Sequence, residues 1–265
     1  MIEKRVAVIT GAGQGIGRRT AEVLAAKGYA LALNDIRPVE ASLASVRALG
    51  AEAMETLGDV SRESDVARMA LDVEHFFGRV DLLVNNAGIS FIRPAEETGA
   101  DEWRRVLEVN LTGPFLTCRA FGRMMLARGV GAIVNVASVA GLAGIGDRAA
   151  YNASKHGLIG LTRTLASEWG GRGVRTNAVC PGWVKTEMDE ADQAGGYYSD
   201  ADIENRVPMA RFARPNEIAE AIAFLADPAL SGFINGMELR VDGGWLADGS
   251  WDRLRIDHRR ANQQL

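Results

Sequence analysis

The sequence predicts an α/β protein with one doubly wound parallel β-sheet and helices on both of its faces. Short, almost wholly apolar runs recur along the chain, as expected for strands that are buried on both sides. Segments with helical spacing separate these runs, and such alternation is typical of right-handed βαβ crossovers. The 265 residues contain no linker rich in proline and serine, so we expect a single domain.

The strands are predicted from their apolar runs, in chain order. Five runs lie at residues 6–9, 31–33, 82–84, 132–136 and 174–179, and a strand at 237–241 completes the sheet. A further strand, the third along the chain, is placed before Asp59 without assigned bounds. Helical spacing is clearest in two sets of side chains between the strands: Ile16, Thr20, Val23 and Leu24, then Val66, Met69, Val73 and Phe76.

Two regions depart from this alternation. Residues 181–215 are polar and contain no clear strand, so we expect a long loop there. Its central part, about 187–213, is predicted to cover the substrate as a lid. Residues 251–265 form a basic tail that includes Arg253, Arg255, Arg259 and Arg260, which leaves 1–250 as the domain.

The composition argues against several classes of function. The 30 basic and 34 acidic residues give a net charge of −4, which is unfavourable for general nucleic-acid binding. We find no secretory signal and no apolar stretch near the ~20 residues of a membrane helix, and therefore expect a cytoplasmic protein without a membrane partner. Cys118 and Cys180 are interpreted as buried packing residues. No metal is predicted, because the histidines are scattered, at His75, His156 and His258.

A glycine-rich turn follows the first strand and opens the first helix. It has the pattern T-G-x-x-x-G-x-G over residues 10–17, which include Gly11, Gln14, Gly15, Ile16 and Gly17. Glycines permit a tight turn and the close approach of a pyrophosphate, whose charge the helix N-terminus favours. Any tight strand–helix turn favours glycine, so the turn alone is weak evidence. In its context it predicts a Rossmann-like, dinucleotide-binding domain.

The choice of dinucleotide is predicted from Asp35. This carboxylate ends the second strand 18 residues after Gly17, near the spacing that receives the adenosine ribose hydroxyls. It would repel a 2′-phosphate, so NAD is favoured over NADP, whereas Arg37 would suit that phosphate if Asp35 turned away. Asp59 and Val60 are candidates for the adenine pocket, although a solvated turn aspartate would look the same.

Three residues form a candidate catalytic group. Tyr151 and Lys155 are four apart at the start of a helical run, which places them on one face. Ser138 ends the fifth strand, at the edge where open α/β sheets hold ligands. Each residue also has a non-catalytic interpretation: Tyr151 as a surface phenol, Lys155 as a solvated charge and Ser138 as a turn hydroxyl. Their joint occurrence behind a dinucleotide turn favours catalysis.

The sequence resembles the short-chain dehydrogenase/reductase family from Val6 to about Gly244. The turn at 10–17, the N-N-A-G run at 85–88 and the Y-N-A-S-K run at 151–155 are similar to motifs of that family. The resemblance extends the predicted site to further positions: Asn110 as a relay asparagine, Asn86, Ala87 and Gly88 in the N-N-A-G run, and Pro181, Gly182, Val184 and Thr186 beside the nicotinamide.

The resemblance implies an oxidoreductase that interconverts a secondary alcohol and a ketone by hydride transfer. Tyr151 would exchange the proton, with its pKa lowered from about 10 by Lys155 and the oxidised nicotinamide. Lys155 would also hold the cofactor ribose, and Ser138 would orient the substrate oxygen. Asn110 would hold a water in a proton path to solvent.

The substrate and the assembly are less directly indicated. The polar lid, with Arg93 and Asp147, favours a hydrophilic substrate such as a sugar, a polyol or a sugar acid. The tail offers Arg253 or Arg255 to an anionic substrate group, or else it is exposed or packs in an oligomer. The resemblance implies a homotetramer, and apolar residues at 107–125 and 158–169 are candidates for its contacts or for the monomer core.

Two other functions compete with this one. The first is reduction of a 3-oxoacyl thioester on an acyl carrier protein, which would prefer NADPH and a basic docking face. Asp35 argues against it. The second is a dinucleotide-sensing regulator without turnover, which the intact set of Ser138, Tyr151, Lys155 and Asn110 disfavours.

Overall fold

Seven parallel strands form the central sheet, in the order β3-β2-β1-β4-β5-β6-β7. The structure is a computed structural model and describes residues 4–257. The strands are β1 (Val6–Thr10), β2 (Ala30–Asp35), β3 (Ala53–Leu57), β4 (Leu82–Asn85), β5 (Gly131–Val136), β6 (Val174–Pro181) and β7 (Glu238–Val241). The predicted doubly wound parallel sheet is confirmed. The third strand had no strong apolar run because β3 lies at the sheet edge and is only partly buried.

Helices connect the strands and cover both faces of the sheet. They are α1 (Gly15–Ala26), α2 (Glu40–Ala48), α3 (Glu63–Phe77), α4 (Ala100–Leu107), α5 (Gly113–Arg128), α6 (Ala149–Trp169), α7 (Glu187–Ala194), α8 (Asp200–Arg206), α9 (Pro215–Ala226) and α10 (Pro228–Ser231). None of the helices within residues 4–257 is long and apolar enough to span a membrane.

Alternate residues of the strands enter two separate cores. Ile9 and Leu31 pack with Leu24 of α1 and Ile218 of α9 on one face. On the other face, Val8 and Ile133 pack with Met69 of α3 and Phe121 of α5. Because both faces are covered, the strands are apolar almost throughout, which is why their positions were predictable.

The polar region after β6 is the main departure from the prediction. Residues 181–215 were expected to form a loop, but α7 and α8 lie within them. Both helices are short and capped locally: the Thr186 hydroxyl accepts from the Asp189 backbone N–H, and Ser199 and Asp202 form a capping box. The expected absence of a strand is correct, and the expected loop is wrong because polar helices this short give no clear apolar period.

A π-helical turn lies at the start of the apolar segment 107–125. It covers Glu108–Thr112, between α4 and α5, and contains the buried side chain of Asn110. Such turns insert one extra residue per turn and are frequent at functional sites. The turn directs Asn110 towards β4 and α6.

Candidate active site

The candidate site lies at the carboxyl edge of the sheet, where the strand order reverses between β1 and β4. This topological switch point is where open α/β sheets bind ligands. Two adjoining hollows occupy this edge and share Ile16, Thr186 and Met188. We call them the cofactor cleft, which extends over β1 and β2, and the catalytic cavity, which contains Tyr151.

The glycine turn has the shape that the sequence predicted. Gly11 and Gly15 have φ angles of +65° and +52°, in the left-handed region that side chains rarely adopt. A Cβ on Gly17 would lie 2.0 Å from the Gly11 carbonyl oxygen. The Asn86 amide nitrogen donates to the carbonyl oxygens of Thr10 (3.0 Å) and Gly11 (2.9 Å), which joins the turn to the end of β4.

Most predicted cofactor residues line the two hollows. The cofactor cleft is lined by Gly11, Gln14, Gly15, Ile16, Asp35, Asp59, Val60, Asn86, Ala87, Gly88 and Thr186. The catalytic cavity is lined by Ile16, Ser138, Tyr151, Lys155, Pro181, Gly182, Val184 and Thr186. Gly17 lines neither hollow, and its missing side chain instead allows α1 to approach the turn.

Asp35 faces the cofactor cleft with both oxygens held. Its Oδ2 accepts a 3.1 Å hydrogen bond from the Gly13 N–H, and its Oδ1 accepts one of 3.2 Å from the Arg37 N–H. The Arg37 guanidinium donates to the Gln14 side-chain oxygen at 3.2 Å, so it lies across the cleft mouth rather than on Asp35. The carboxylate lines the cleft, and its role in binding the adenosine ribose stays a prediction.

Asp59 is held in an ionic cluster beside the same cleft. Ser61 donates to it through its N–H (2.9 Å) and hydroxyl (2.6 Å), and Arg105 forms a 3.3 Å ion pair. Burial acts to raise the pKa of Asp59, but the Ser61 hydrogen bonds and the Arg105 charge lower it below its usual value.

Tyr151, Ser138 and Lys155 meet in the catalytic cavity. Tyr151 and Lys155 lie one turn apart on α6, and the Lys155 Nζ is 5.6 Å from the Tyr151 ring centroid. Ser138 follows β5 and lines the same cavity, where its side chain is close enough to the Tyr151 phenol to act on the pKa of that phenol. The phenol and the serine hydroxyl are thus placed to share one substrate oxygen.

The lowered pKa of Tyr151 was expected with the oxidised nicotinamide bound, and it stays a prediction. Burial raises the pKa of Tyr151, and the Ser138 side chain only partly offsets this effect. The ammonium group of Lys155 donates to the Val136 carbonyl oxygen at 2.8 Å. Burial also lowers the pKa of Lys155 to about 8.

Asn110 stabilises the backbone around the site but lines neither hollow. Its Oδ1 accepts from the Ile89 N–H (2.9 Å), and its Nδ2 donates to the Ile89 carbonyl (3.0 Å) and the Ser154 hydroxyl (3.3 Å). These bonds fix the segment after β4 against α6. A water relay through Asn110 remains a prediction.

Sequence reasoning missed several polar residues of the catalytic cavity: Ser90, Arg148, Asp189, Asp192 and Tyr198. Arg148 lies just outside α6, so the helical spacing that relates Tyr151 and Lys155 did not extend to it. Arg93 and Asp147, which were expected to indicate a polar substrate, do not line the cavity; Arg93 pairs with Glu102.

Up to residue 257, where the described part of the chain ends, the tail supplies no arginine to the catalytic cavity of its own chain. Neither Arg253 nor Arg255 lines the cavity, and Arg255 pairs with Asp252 at 3.3 Å. The tail instead reaches α8, where the Asp257 N–H donates to Asn205 at 3.1 Å. His258, Arg259 and Arg260 lie outside the described residues.

Fold and site together define a nicotinamide-dependent oxidoreductase, and sequence comparison agrees. A family model described as enoyl-(acyl carrier protein) reductase matches residues 11–246. The chain is 42% identical over 247 residues to D-threitol dehydrogenase of Mycolicibacterium smegmatis (92% of this chain, 94% of that protein). This chain belongs to the short-chain dehydrogenase/reductase family.

Other relatives carry different names. Galactitol 2-dehydrogenase of Cereibacter sphaeroides is 41% identical (90% of this chain, 94% of the relative). A 3-oxoacyl-[acyl-carrier-protein] reductase of Synechocystis is 38% identical (91% and 97%). Among solved structures, actinorhodin polyketide ketoreductase with NADPH superposes with a TM-score of 0.88 at 35% identity (91% and 97%). The family therefore fixes the reaction type more firmly than the substrate.

Proposed function

We propose that this protein is an NAD(H)-dependent dehydrogenase of a polyol or a related sugar, which interconverts a secondary alcohol and a ketone. The observation that carries the proposal is the meeting of Tyr151, Ser138 and Lys155 in a cavity that adjoins the cleft behind the glycine turn. The names of the threitol and galactitol dehydrogenases support the substrate class.

The cleft fits a dinucleotide by its shape and its donors. Gly11 and Gly15 line the cleft with positive φ angles, so the backbone of the turn is open to a pyrophosphate, and the N-terminus of α1 faces it. Asp35 would accept the adenosine ribose hydroxyls, which favours NAD over NADP by repelling a 2′-phosphate. Lys155 and Tyr151 would hold the nicotinamide ribose.

The residues of the catalytic cavity handle the proton. When bound, the nicotinamide supplies or accepts the hydride at the carbinol carbon. Ser138 hydrogen-bonds the substrate oxygen and holds it beside the Tyr151 hydroxyl. Tyr151 gives its proton to that oxygen during ketone reduction and takes it back during alcohol oxidation. Pro181 and Val184 line the cavity and limit the water beside the reacting carbon.

A substrate screen tests the proposal. Initial rates of NAD and NADP reduction are measured with neutral polyols, sugar acids and simple secondary alcohols, and NADH and NADPH oxidation with a 3-oxoacyl thioester. We expect the highest kcat/KM with a polyol and NAD. The proposal fails if no polyol is oxidised with either dinucleotide.

Reduction of a 3-oxoacyl thioester with NADPH is the second candidate. The description of the family model and the name of the Synechocystis relative favour it. The negative charge of Asp35 in the cofactor cleft argues against NADPH. The same screen separates the two, because a thioester reductase would prefer NADPH and leave polyols unreacted.

The homotetramer and the cytoplasmic location are proposed from the family and the sequence. Exposed apolar side chains such as Phe115 on α5 and Phe233 after α10 support self-association. Sedimentation equilibrium measures the assembly directly, and a monomer would contradict this part of the proposal.

A further inference from the structure

Three polar side chains form a closed hydrogen-bonded ring in the catalytic cavity. Arg148 donates to the Ser90 hydroxyl at 2.9 Å through Nη1 and to Asp192 Oδ2 at 3.2 Å through Nη2. The Ser90 hydroxyl donates to the same Asp192 oxygen at 2.9 Å. All three residues line the cavity that contains Tyr151.

The ring joins three separate parts of the fold beside the reacting group. Ser90 lies after β4, Arg148 immediately precedes α6, and Asp192 lies on α7 in the polar lid region. The Arg148 Cζ is 5.9 Å from the centroid of the Tyr151 aromatic ring, so the hydrogen-bonded ring lies beside the phenol. The Arg148 and Asp192 side chains are only 12% and 17% exposed.

Asp192 keeps one oxygen for a ligand. Its Oδ2 carries both hydrogen bonds of the ring, whereas its Oδ1 receives none from the part of the chain that the structure describes. A carboxylate only accepts hydrogen bonds and takes several at once. The hydroxyl groups of a polyol are suitable donors to such an oxygen, and a ketone or an alkyl chain is not.

The charges in the cavity disfavour an anionic substrate. Arg148 and Lys155 are its cationic lining residues, and Asp189 and Asp192 are its acidic ones. Arg148 is already paired with Asp192, and Lys155 is bonded to the Val136 carbonyl. Asp189 accepts from the Tyr198 hydroxyl at 2.9 Å and pairs with Lys185 at 3.3 Å. A substrate carboxylate would therefore approach Asp192 without a free cation to balance it.

We propose that Ser90, Arg148 and Asp192 recognise the hydroxyl groups beside the reacting carbon and select a neutral polyol over a sugar acid. Asp192 accepts from a substrate hydroxyl through Oδ1, and Ser90 and Arg148 hold that carboxylate in place. The inference rests on the proposed function and narrows its substrate class. It also gives α7 a role in specificity, because Asp192 belongs to that helix.

Asp192→Asn tests this inference, since it removes the charge with almost no change of shape. Its kcat and KM are measured beside the wild type with threitol, with the matched acid threonate, and with butan-2-ol, which has no second hydroxyl. Galactitol and galactonate provide a six-carbon pair. Glu190→Gln is the matched control, because Glu190 lies exposed on the same helix and does not line the cavity.

We expect Asp192→Asn to lower kcat/KM for the polyols about 10- to 100-fold, mainly through KM, as for the loss of a hydrogen bond to a charged group. Butan-2-ol should change less than about threefold, and the preference for polyol over acid should fall, since Arg148 loses its partner. Glu190→Gln should match the wild type. The inference is overturned if butan-2-ol and threitol lose activity equally, or if the wild type prefers the acids.

A binding measurement separates this inference from the proposed function. Threitol and galactitol are titrated calorimetrically into NAD-saturated Tyr151→Phe protein, with and without Asp192→Asn. If polyol binding depends on Asp192 but the wild-type enzyme does not turn polyols over, the role of the hydrogen-bonded ring is supported and the dehydrogenase function is refuted. If the wild type turns polyols over and the double variant binds them as tightly as Tyr151→Phe alone does, only the role of the hydrogen-bonded ring is refuted. If polyols are neither bound nor turned over, both the role of the ring and the dehydrogenase function are refuted.

Discussion

The ammonium group of Lys155 donates a 2.8 Å hydrogen bond to the backbone carbonyl oxygen of Val136, which ties α6 to the end of β5. Lys155 is only 5% exposed, and burial lowers its pKa from 10.5 to about 8. The protein thus keeps a buried cation beside the Tyr151 ring, where the dipole of the Val136 carbonyl partly compensates for the lost water. Burial of this charge lowers the free energy of unfolding by an amount that depends on pH.

We expect Lys155→Met to change the pH dependence of stability. Below about pH 8 the lysine is charged in both states, and its burial opposes folding. Between pH 8 and its unfolded pKa the folded state binds fewer protons, so wild-type stability gains with rising pH. From about pH 7 to 9.5, the difference in unfolding free energy should shift by about 2 kcal/mol in favour of the wild type. Denaturant titration measures it, and a constant difference would contradict a lowered pKa.

Tyr151→Phe should keep most of the affinity for NAD, because Lys155 remains to hold the nicotinamide ribose, and lose at least about 100-fold in kcat, because the proton-transfer group is removed. Calorimetry with NAD and steady-state rates give the two values. Tyr197→Phe is the control, since Tyr197 is 56% exposed in the lid region and lines neither hollow. A Tyr151→Phe enzyme with a large share of wild-type kcat would remove Tyr151 from the mechanism.

Asp35→Ser should reduce the preference for NAD over NADP. The substitution removes a negative charge from the cofactor cleft and leaves Arg37 beside it, so repulsion of a 2′-phosphate is relieved. We expect the ratio of kcat/KM values for the two dinucleotides to fall at least about tenfold. Glu40→Gln, an exposed charge change at the start of α2, should leave the ratio unaltered. An unchanged ratio in Asp35→Ser would show that Asp35 does not select the cofactor.

Gly17→Ala should damage the glycine turn. The added Cβ would lie 2.0 Å from the Gly11 carbonyl oxygen and 2.5 Å from the Asn86 amide nitrogen, so the turn must shift. We expect a loss of about 1–3 kcal/mol of stability and weaker NAD binding, measured by thermal unfolding and calorimetry. Gly160→Ala on the exposed side of α6 meets open space and should bind NAD normally. Equal NAD affinity in both variants would argue against a pyrophosphate at this turn.

Much of the site could be predicted because its determinants are local. The glycines of 10–17 carry the conformation of the turn in their own residue type, and Tyr151 and Lys155 share a face through helical spacing alone. The end of β5 located Ser138. The ring of Ser90, Arg148 and Asp192 had no comparable signal, since its closest members in sequence, Arg148 and Asp192, are 44 residues apart.

The sequence by itself determined the parallel sheet, the glycine turn and the Tyr151–Lys155 pair, because each follows from short-range periodicity or from the conformational freedom of one residue type. The tertiary structure decided which polar side chains face the substrate and what each one is paired with. It turned Lys155 to Val136 and brought Asp192 on α7 to Arg148. Charge compensation in a buried cavity depends on groups far apart in the chain, and only folding brings them within hydrogen-bonding distance.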